Sequence, residues 1–191
     1  MTTAEYSEGL GLASMANVLT VARLLASPLF IVMITETGPD WRTFGVGFVL
    51  AITDLIDGWL ARKRGSTRSG AFLDPLADKV FVLGSMYALV ANGAFSWIPV
   101  TIIAARELAM SLYRSVVARQ GVSIPAVRLA KWKTVIQTWA IGFALIPEVA
   151  HNAHWIATTT LWLAVALTLW TGAVYWRSAR NQPTVGGAAT P

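Results

Sequence analysis

Six apolar stretches, near residues 18–35, 43–60, 76–92, 96–113, 134–150 and 155–176, run through this 191-residue chain. Each approaches the roughly 20 helical residues that cross about 30 Å of hydrocarbon. Strands are excluded as the alternative: the runs are too long, they lack sustained polar alternation, and in lipid they would leave backbone groups unpaired unless a barrel closed. The expected fold class is therefore all-α, an integral membrane bundle of six transmembrane helices. Composition agrees, since 55% of residues are hydrophobic and only 13% charged, with nine tryptophans, well outside the balance of a soluble globular domain. One transmembrane domain is expected over 1–180. The segment 181–191, rich in Gly, Ala, Thr and Pro, reads as a disordered tail.

The cations are placed asymmetrically. Arg62, Lys63, Arg64 and Arg68 lie between the second and third spans, and Arg114, Arg119, Arg128, Lys131 and Lys133 between the fourth and fifth. Arg177 and Arg180 follow the last span, whereas the opposite connections hold only Arg42 among Lys and Arg. By the positive-inside rule both termini and both basic connections are expected in the cytoplasm. Trp41, Trp97 and Trp155 start spans on the other side, where an aromatic belt would put them. The first apolar stretch is followed by Glu36, Thr37, Gly38, Pro39 and Asp40 rather than a small-residue cleavage site, so the first helix is expected to stay as an anchor. The chain has no cysteine, which excludes disulfides, thiol catalysis and thiolate metal sites.

Against this apolar background stand four aspartates. Asp54 and Asp57 are three apart and Asp74 and Asp78 four apart, so each pair shares one face of its helix. A short connection suggests that the two helices are antiparallel neighbours with the pairs facing each other. Pro75 suits a first helical position, which makes Asp74 the expected N-cap of the third span, as Asn17 is of the first. Capping and ion pairs with Arg62, Lys79 or Arg106 would account for Asp74 and one other acid. They do not account for four, because acids within a membrane are costly and rare outside functional sites. Four converging carboxylates repel one another unless cations join them. Oxygen ligands on opposed helices suit hard ions, so two divalent cations, Mg²⁺ or Mn²⁺, are expected. His151 and His154 lie toward the opposite side and read as interfacial surface. Gly58 beside Asp57, Gly70 before Asp74, the small Ala61 and the cationic Arg62 describe room for a phosphate-bearing ligand.

The order Asp54, two residues, Asp57-Gly58, two residues, Ala61-Arg62, then Gly70, three residues, Asp74, three residues, Asp78 resembles the signature of the CDP-alcohol phosphotransferases. It departs in one place, with seven residues, Lys63 to Ser69, between Arg62 and Gly70, where the family usually has one more. The resemblance implies six transmembrane helices, usually as a homodimer, and transfer of a phosphatidyl or similar group from a CDP-linked donor to an alcohol with release of CMP. It implies that Asp54, Asp57, Asp74 and Asp78 hold the metals, that Asp78 is also the general base, and that Gly58, Ala61, Arg62 and Gly70 line the CDP site. No nucleic-acid partner is expected.

Outside the signature, Asn17, Thr20 and Arg23 in the first span, Arg106-Glu107 in the fourth, and Lys131, Lys133 and Thr134 in the fifth resemble the members of that family whose acceptor is sn-glycerol 3-phosphate. The donor is then CDP-diacylglycerol, in the bacterial cytoplasmic membrane, with the active site facing the cytoplasm. Arg114, Lys131 and Lys133, with Arg23, are the candidates for the acceptor's phosphate; ordinary interfacial snorkelling is the plainer reading of the two lysines. Arg106 and Glu107 are expected to be a buried pair holding helices together. Within the family, phosphatidylglycerol or an inositol phosphate remain alternative acceptors. Outside it, an Asp-rich prenyltransferase would separate its acid clusters more widely along the chain, and a divalent-cation transporter would line a path across the whole bilayer.

Overall fold

The computed structural model describes the backbone of residues 3–64, 70–119 and 129–180, and side-chain surroundings for 18–56, 76–113, 115–116 and 132–174. The expected tail at 181–191 lies outside the described residues. Among them there is no strand. Helices α1 (Thr3–Thr37), α2 (Trp41–Arg64), α3 (Gly70–Ala91), α4 (Trp97–Arg119), α5 (Leu129–Leu145), α6 (Pro147–Asn152) and α7 (His154–Arg180) follow one another.

Local chemistry explains the helix ends. At the end of α1, Gly38 takes a positive φ of 70° and its N–H returns to the Ile34 carbonyl at 3.0 Å, while Pro39 prevents continuation. Asp40 then accepts the Arg42 N–H on Oδ1 at 2.7 Å, capping α2. Gly93, with φ 82°, closes α3 in the same way, as the Ala94 N–H bonds to the Leu89 carbonyl at 2.8 Å.

Three helix limits differ from expectation. Helix α1 begins at Thr3 and α3 at Gly70, so Asn17 and Asp74 sit within helices rather than capping them. Each helix extends over polar residues that an apolar run alone would not include. The fifth span, expected over 134–150, breaks at Ile146 because Pro147 has no N–H to give the ladder and instead opens the short α6.

Among the described residues two helices contain stretches long and apolar enough to cross a membrane, Val18–Thr37 in α1 and His154–Val174 in α7. The arrangement of polarity is inside-out. Leu25, Leu29, Val49, Leu112, Trp162 and Trp170 are exposed, whereas Thr20, Arg23, Ser27, Ser85, Gln137 and Thr168 are buried. Apolar exteriors are favourable in hydrocarbon, where buried polar groups find their partners inside the bundle.

The core gathers Phe30 and Ile34 from α1, Phe81, Met86 and Leu89 from α3, Val100 and Ile103 from α4, Ile141 and Leu145 from α5, and Leu161 and Val165 from α7. Helix α1 packs most extensively on α3 and α2, and α5 on α7. Direct backbone contact between α2 and α3 is slight, contrary to the expected neighbouring pair. Both flank α1 instead, and α5 approaches each of them, which leaves a space between the two aspartate-bearing helices.

Candidate functional site

That space contains the aspartates whose side chains are described. Asp54 on α2 and Asp78 on α3 line one cavity of 130 Å³, together with Phe81 and Val82 from α3 and Thr134 and Thr138 from α5. Asp57 follows Asp54 by one helical turn and Asp74 precedes Asp78 by one, and both backbones are helical. Each predicted pair therefore occupies one face of a continuous helix. The side chains of Asp57, Gly58, Ala61, Arg62, Gly70, Asp74, Arg114 and Lys131 lie outside the described residues.

The connections 38–40, 92–96 and 146–153 meet at one end of the bundle, tied by Asn92 Nδ2 donating to the Ile34 carbonyl at 3.0 Å, by Trp41 Nε1 donating to Glu148 at 3.3 Å and by His154 Nε2 lying 2.8 Å from the Ala94 carbonyl oxygen. His151 contacts the Pro147 carbonyl oxygen there as well, at 2.7 Å. Both histidines thus engage backbone carbonyls, far from the aspartates. Counted along each helix from this end, Arg23, Asp54, Asp78, Glu107, Lys133 and Thr171 stand about 10–17 residues away, or about 15–25 Å at 1.5 Å per residue. They form one polar layer toward the far side of the bundle, although they come from six different helices.

The layer has two groups. In the first, the guanidinium of Arg23, with 2% of its side chain exposed, pairs with Asp54, which is 43% exposed. A buried guanidinium requires an anion, and α1 supplies Arg23 from between the two aspartate helices. Ser27 accompanies it, its hydroxyl donating to the Arg23 carbonyl at 2.8 Å. Arg23, expected at the acceptor's phosphate, is thereby placed against a carboxylate of the acidic cluster.

In the second group Glu107 on α4 receives both the Lys133 ammonium from α5 and Arg106 Nη1, the latter at 3.1 Å. Arg106 Nη2 donates to Thr171 Oγ1 on α7 at 2.7 Å, and Gln137 Nε2 donates to Thr168 Oγ1 at 3.3 Å. The expected Arg106–Glu107 pair is present, and Lys133 completes it. Asp78 shares its cavity with Asp54 and with Thr134, the neighbour of Lys133, so it stands between the two groups.

Sequence reasoning passed over Thr138, Gln137, Thr168 and Thr171. The four-residue spacing of Thr134 and Thr138 was the available sign that a polar stripe faces inward.

Among the described residues no three His, Cys, Asp or Glu side chains come together. Asp54 and Asp78 present carboxylate oxygens to a space that also has two threonines. Hard divalent ions take such oxygen donors, so the donor chemistry fits them.

From the same cavity an apolar groove of 350 Å³ runs between α2 and α5 past Phe48, Ile52, Gly142 and Phe143, sharing Ala51, Leu55, Thr138 and Trp139 with the cavity. Polar and apolar spaces are thus continuous, as an amphipathic ligand requires.

Comparison with known proteins agrees with this combination. A model of the CDP-alcohol phosphatidyltransferase family matches residues 13–170. A Mycobacterium tuberculosis protein named as a probable phosphatidylglycerophosphate synthase is 35% identical over 185 residues, covering 92% of this chain and 85% of that relative. Two proteins named CDP-diacylglycerol--glycerol-3-phosphate 3-phosphatidyltransferase are similar too. The one from Rickettsia bellii is 35% identical, covering 88% of this chain and 96% of its own. The one from Haemophilus influenzae is 34% identical, with coverages of 85% and 91%. With the matched region spanning both the aspartate helices and the polar layer that joins them, the chain belongs to the CDP-alcohol phosphatidyltransferase family.

Proposed function

We propose that this enzyme transfers the phosphatidyl group of CDP-diacylglycerol to sn-glycerol 3-phosphate, yielding phosphatidylglycerol phosphate and CMP. The observation that carries the reading is the cavity among α2, α3 and α5, where Asp54, paired with Arg23, and Asp78 stand on one side and an apolar groove opens on the other. A nucleotide-activated lipid needs both environments, and the names of the similar proteins supply its chemistry.

In this reading the free primary hydroxyl of glycerol 3-phosphate attacks the phosphatidyl phosphorus. The bond from that phosphorus to the bridging oxygen breaks, and CMP departs with the bonding electrons. Asp78 takes the hydroxyl proton as the new bond forms. Asp54, Asp57, Asp74 and Asp78 would hold two divalent cations, Mg²⁺ or Mn²⁺, which neutralise charge on a pyrophosphate. Gly58, Ala61, Arg62 and Gly70 would line the CDP moiety. Lys133, with Arg114 and Lys131, would meet the acceptor's phosphate. Arg23 is assigned differently from the initial expectation: its contact with Asp54 favours a role in setting that carboxylate. The groove between α2 and α5 offers the acyl chains a path into lipid.

The membrane reading extends to six crossings by α1 to α5 and α7, with both termini and the polar layer toward the cytoplasm, over a single domain of residues 1–180 that assembles as a homodimer. The basic connections at that end support this orientation.

The deciding assay is CMP release from CDP-diacylglycerol by purified protein with Mg²⁺, offering glycerol 3-phosphate, inositol 1-phosphate and phosphatidylglycerol in parallel. Stimulation by glycerol 3-phosphate alone, lost in Asp78→Asn, is the expected result. Stimulation by another acceptor instead overturns the assignment of the alcohol.

A further inference from the structure

Glu107 is an acid that the proposed reaction leaves without a part. It is partly buried in the polar layer, its side chain 14% exposed, between Arg106 at 10% and Lys133 at 11%. The plain account is a staple between helices, and Arg106 fits it, anchored to Thr171 on α7. Lys133 fits it less well. Helices α4 and α5 each pack on α7 but make at most slight backbone contact with one another. Lys133 therefore reaches across a gap to Glu107 rather than closing a tight interface.

Charge separates the two accounts further. A buried pair kept for packing adds little over apolar side chains of the same size, and neutrality is what makes it tolerable. Here one carboxylate serves two cations, so the cluster on its own leaves one of them only partly neutralised, with Asp78 across the cavity as the nearest further anion. That cluster stands beside the reacting side of the site, one residue along α5 from the wall of the cavity that Asp78 lines. Thr134, the next residue after Lys133, lines the cavity itself. An anionic ligand entering there would meet a cation that one shared carboxylate only partly neutralises.

A lysine is a poor anchor on its own, since its flexible stem gives up much rotamer freedom when the ammonium is held in one place. A carboxylate behind it, itself fixed by an anchored arginine, supplies that restraint before the ligand arrives. We propose that Glu107 is a positioning residue for the acceptor: it holds the Lys133 ammonium where the acceptor's phosphate will bind, and the Arg106–Thr171 contact holds Glu107. The proposal deepens the acceptor reading given above and rests on it for the identity of the anion.

The test uses the full-length protein in lipid nanodiscs, measuring CMP release against acceptor concentration at saturating CDP-diacylglycerol and Mg²⁺. It compares wild type, Glu107→Gln, Glu107→Asp, Lys133→Met and the double variant Glu107→Gln/Lys133→Met, with whichever of the three acceptors supports turnover. Glu107→Gln is expected to raise the acceptor KM about tenfold or more while kcat changes by less than about threefold, and the KM for CDP-diacylglycerol stays unchanged. Glu107→Asp recovers most of the loss. The double variant matches Lys133→Met alone, because a residue acting through Lys133 has nothing left to act on.

An acceptor KM within about twofold of wild type in Glu107→Gln overturns the proposal, as does a double variant whose losses multiply. If Glu107→Gln does not fold, as judged by size exclusion, the double variant buries one cation fewer and its comparison with Lys133→Met decides. Turnover with a different acceptor overturns the acceptor reading while the KM comparison still judges Glu107; no turnover with any acceptor overturns both.

Discussion

The end of the bundle that carries the connections and the end that carries the polar layer are built on opposite principles. Near the connections, α1 lies so close to its neighbours that there is no room for a methyl group. A Cβ on Gly47 would stand 2.5 Å from Phe30 Cζ, and one on Gly84 would overlap the end of Ile31. Phe30 and Phe81 stack with ring centroids 5.6 Å apart, and Ile34, Met86, Leu89 and Leu145 fill the remainder. In the polar layer α2 and α3 face a cavity with Asp54 and Asp78, and between α4 and α5, which make at most slight backbone contact, Lys133 crosses to Glu107. Close packing leaves little room for a ligand, and a cavity that holds two carboxylates contributes little to holding a bundle together. The close contacts along α1 supply rigidity, while the space beside α2, α3 and α5 keeps room for ligands.

Substitutions can break or sharpen that division. The largest effect is expected at Asp78→Asn, with CMP release reduced by about 10²–10⁴-fold, the usual contribution of a positioned acid–base group. Metal-dependent CDP binding and the melting temperature should be largely kept; near-normal turnover would remove Asp78 from the base role. Chelation with EDTA should stop turnover, and Mg²⁺ or Mn²⁺ should restore it, while the apolar half stays folded by circular dichroism.

Gly47→Ala tests the other half. Phe30 is 1% exposed and can yield only into a cavity of 60 Å³ that it shares with Gly47, so a loss of about 1–3 kcal/mol is expected, read by thermal unfolding, with turnover per folded molecule unchanged at low temperature. A fall in turnover without a fall in melting temperature would show that the two ends are not independent. Gly84→Ala should cost less, under about 1 kcal/mol, because the Ile31 end can rotate away. The smallest effect belongs to Trp41→Phe, which removes an exposed 3.3 Å hydrogen bond to Glu148 and should shift stability by no more than about 0.5 kcal/mol.

What could be read in advance follows the range of the interactions. Asp54 and Asp57, or Asp74 and Asp78, are neighbours through helix periodicity alone, and the apolar runs announce helices because no other backbone arrangement except a closed barrel satisfies itself in lipid. The Arg106–Glu107 pair was legible because the two residues are adjacent in the chain, not through periodicity. By contrast, Arg23 and Asp54 are 31 residues apart, and Lys133 and Glu107 are 26 apart. Neither contact has any periodic signature. The capping roles expected of Asn17 and Asp74 failed because helices continue past an apolar run whenever the neighbouring residues tolerate it. The break at Pro147 was visible in the sequence and was outweighed by the apolar residues around it.

By itself, then, the order of residues determined that this chain forms a helical membrane bundle with carboxylates grouped on two helix faces, since hydrophobic length and a 3.6-residue repeat act locally. Only the tertiary structure decided that α1 stands against both aspartate helices, that a cavity and an apolar groove open beside them, and that Glu107 stands behind Lys133. Those outcomes depend on which helices pack together, and that is settled by side-chain shape and charge across the whole bundle rather than along any one segment.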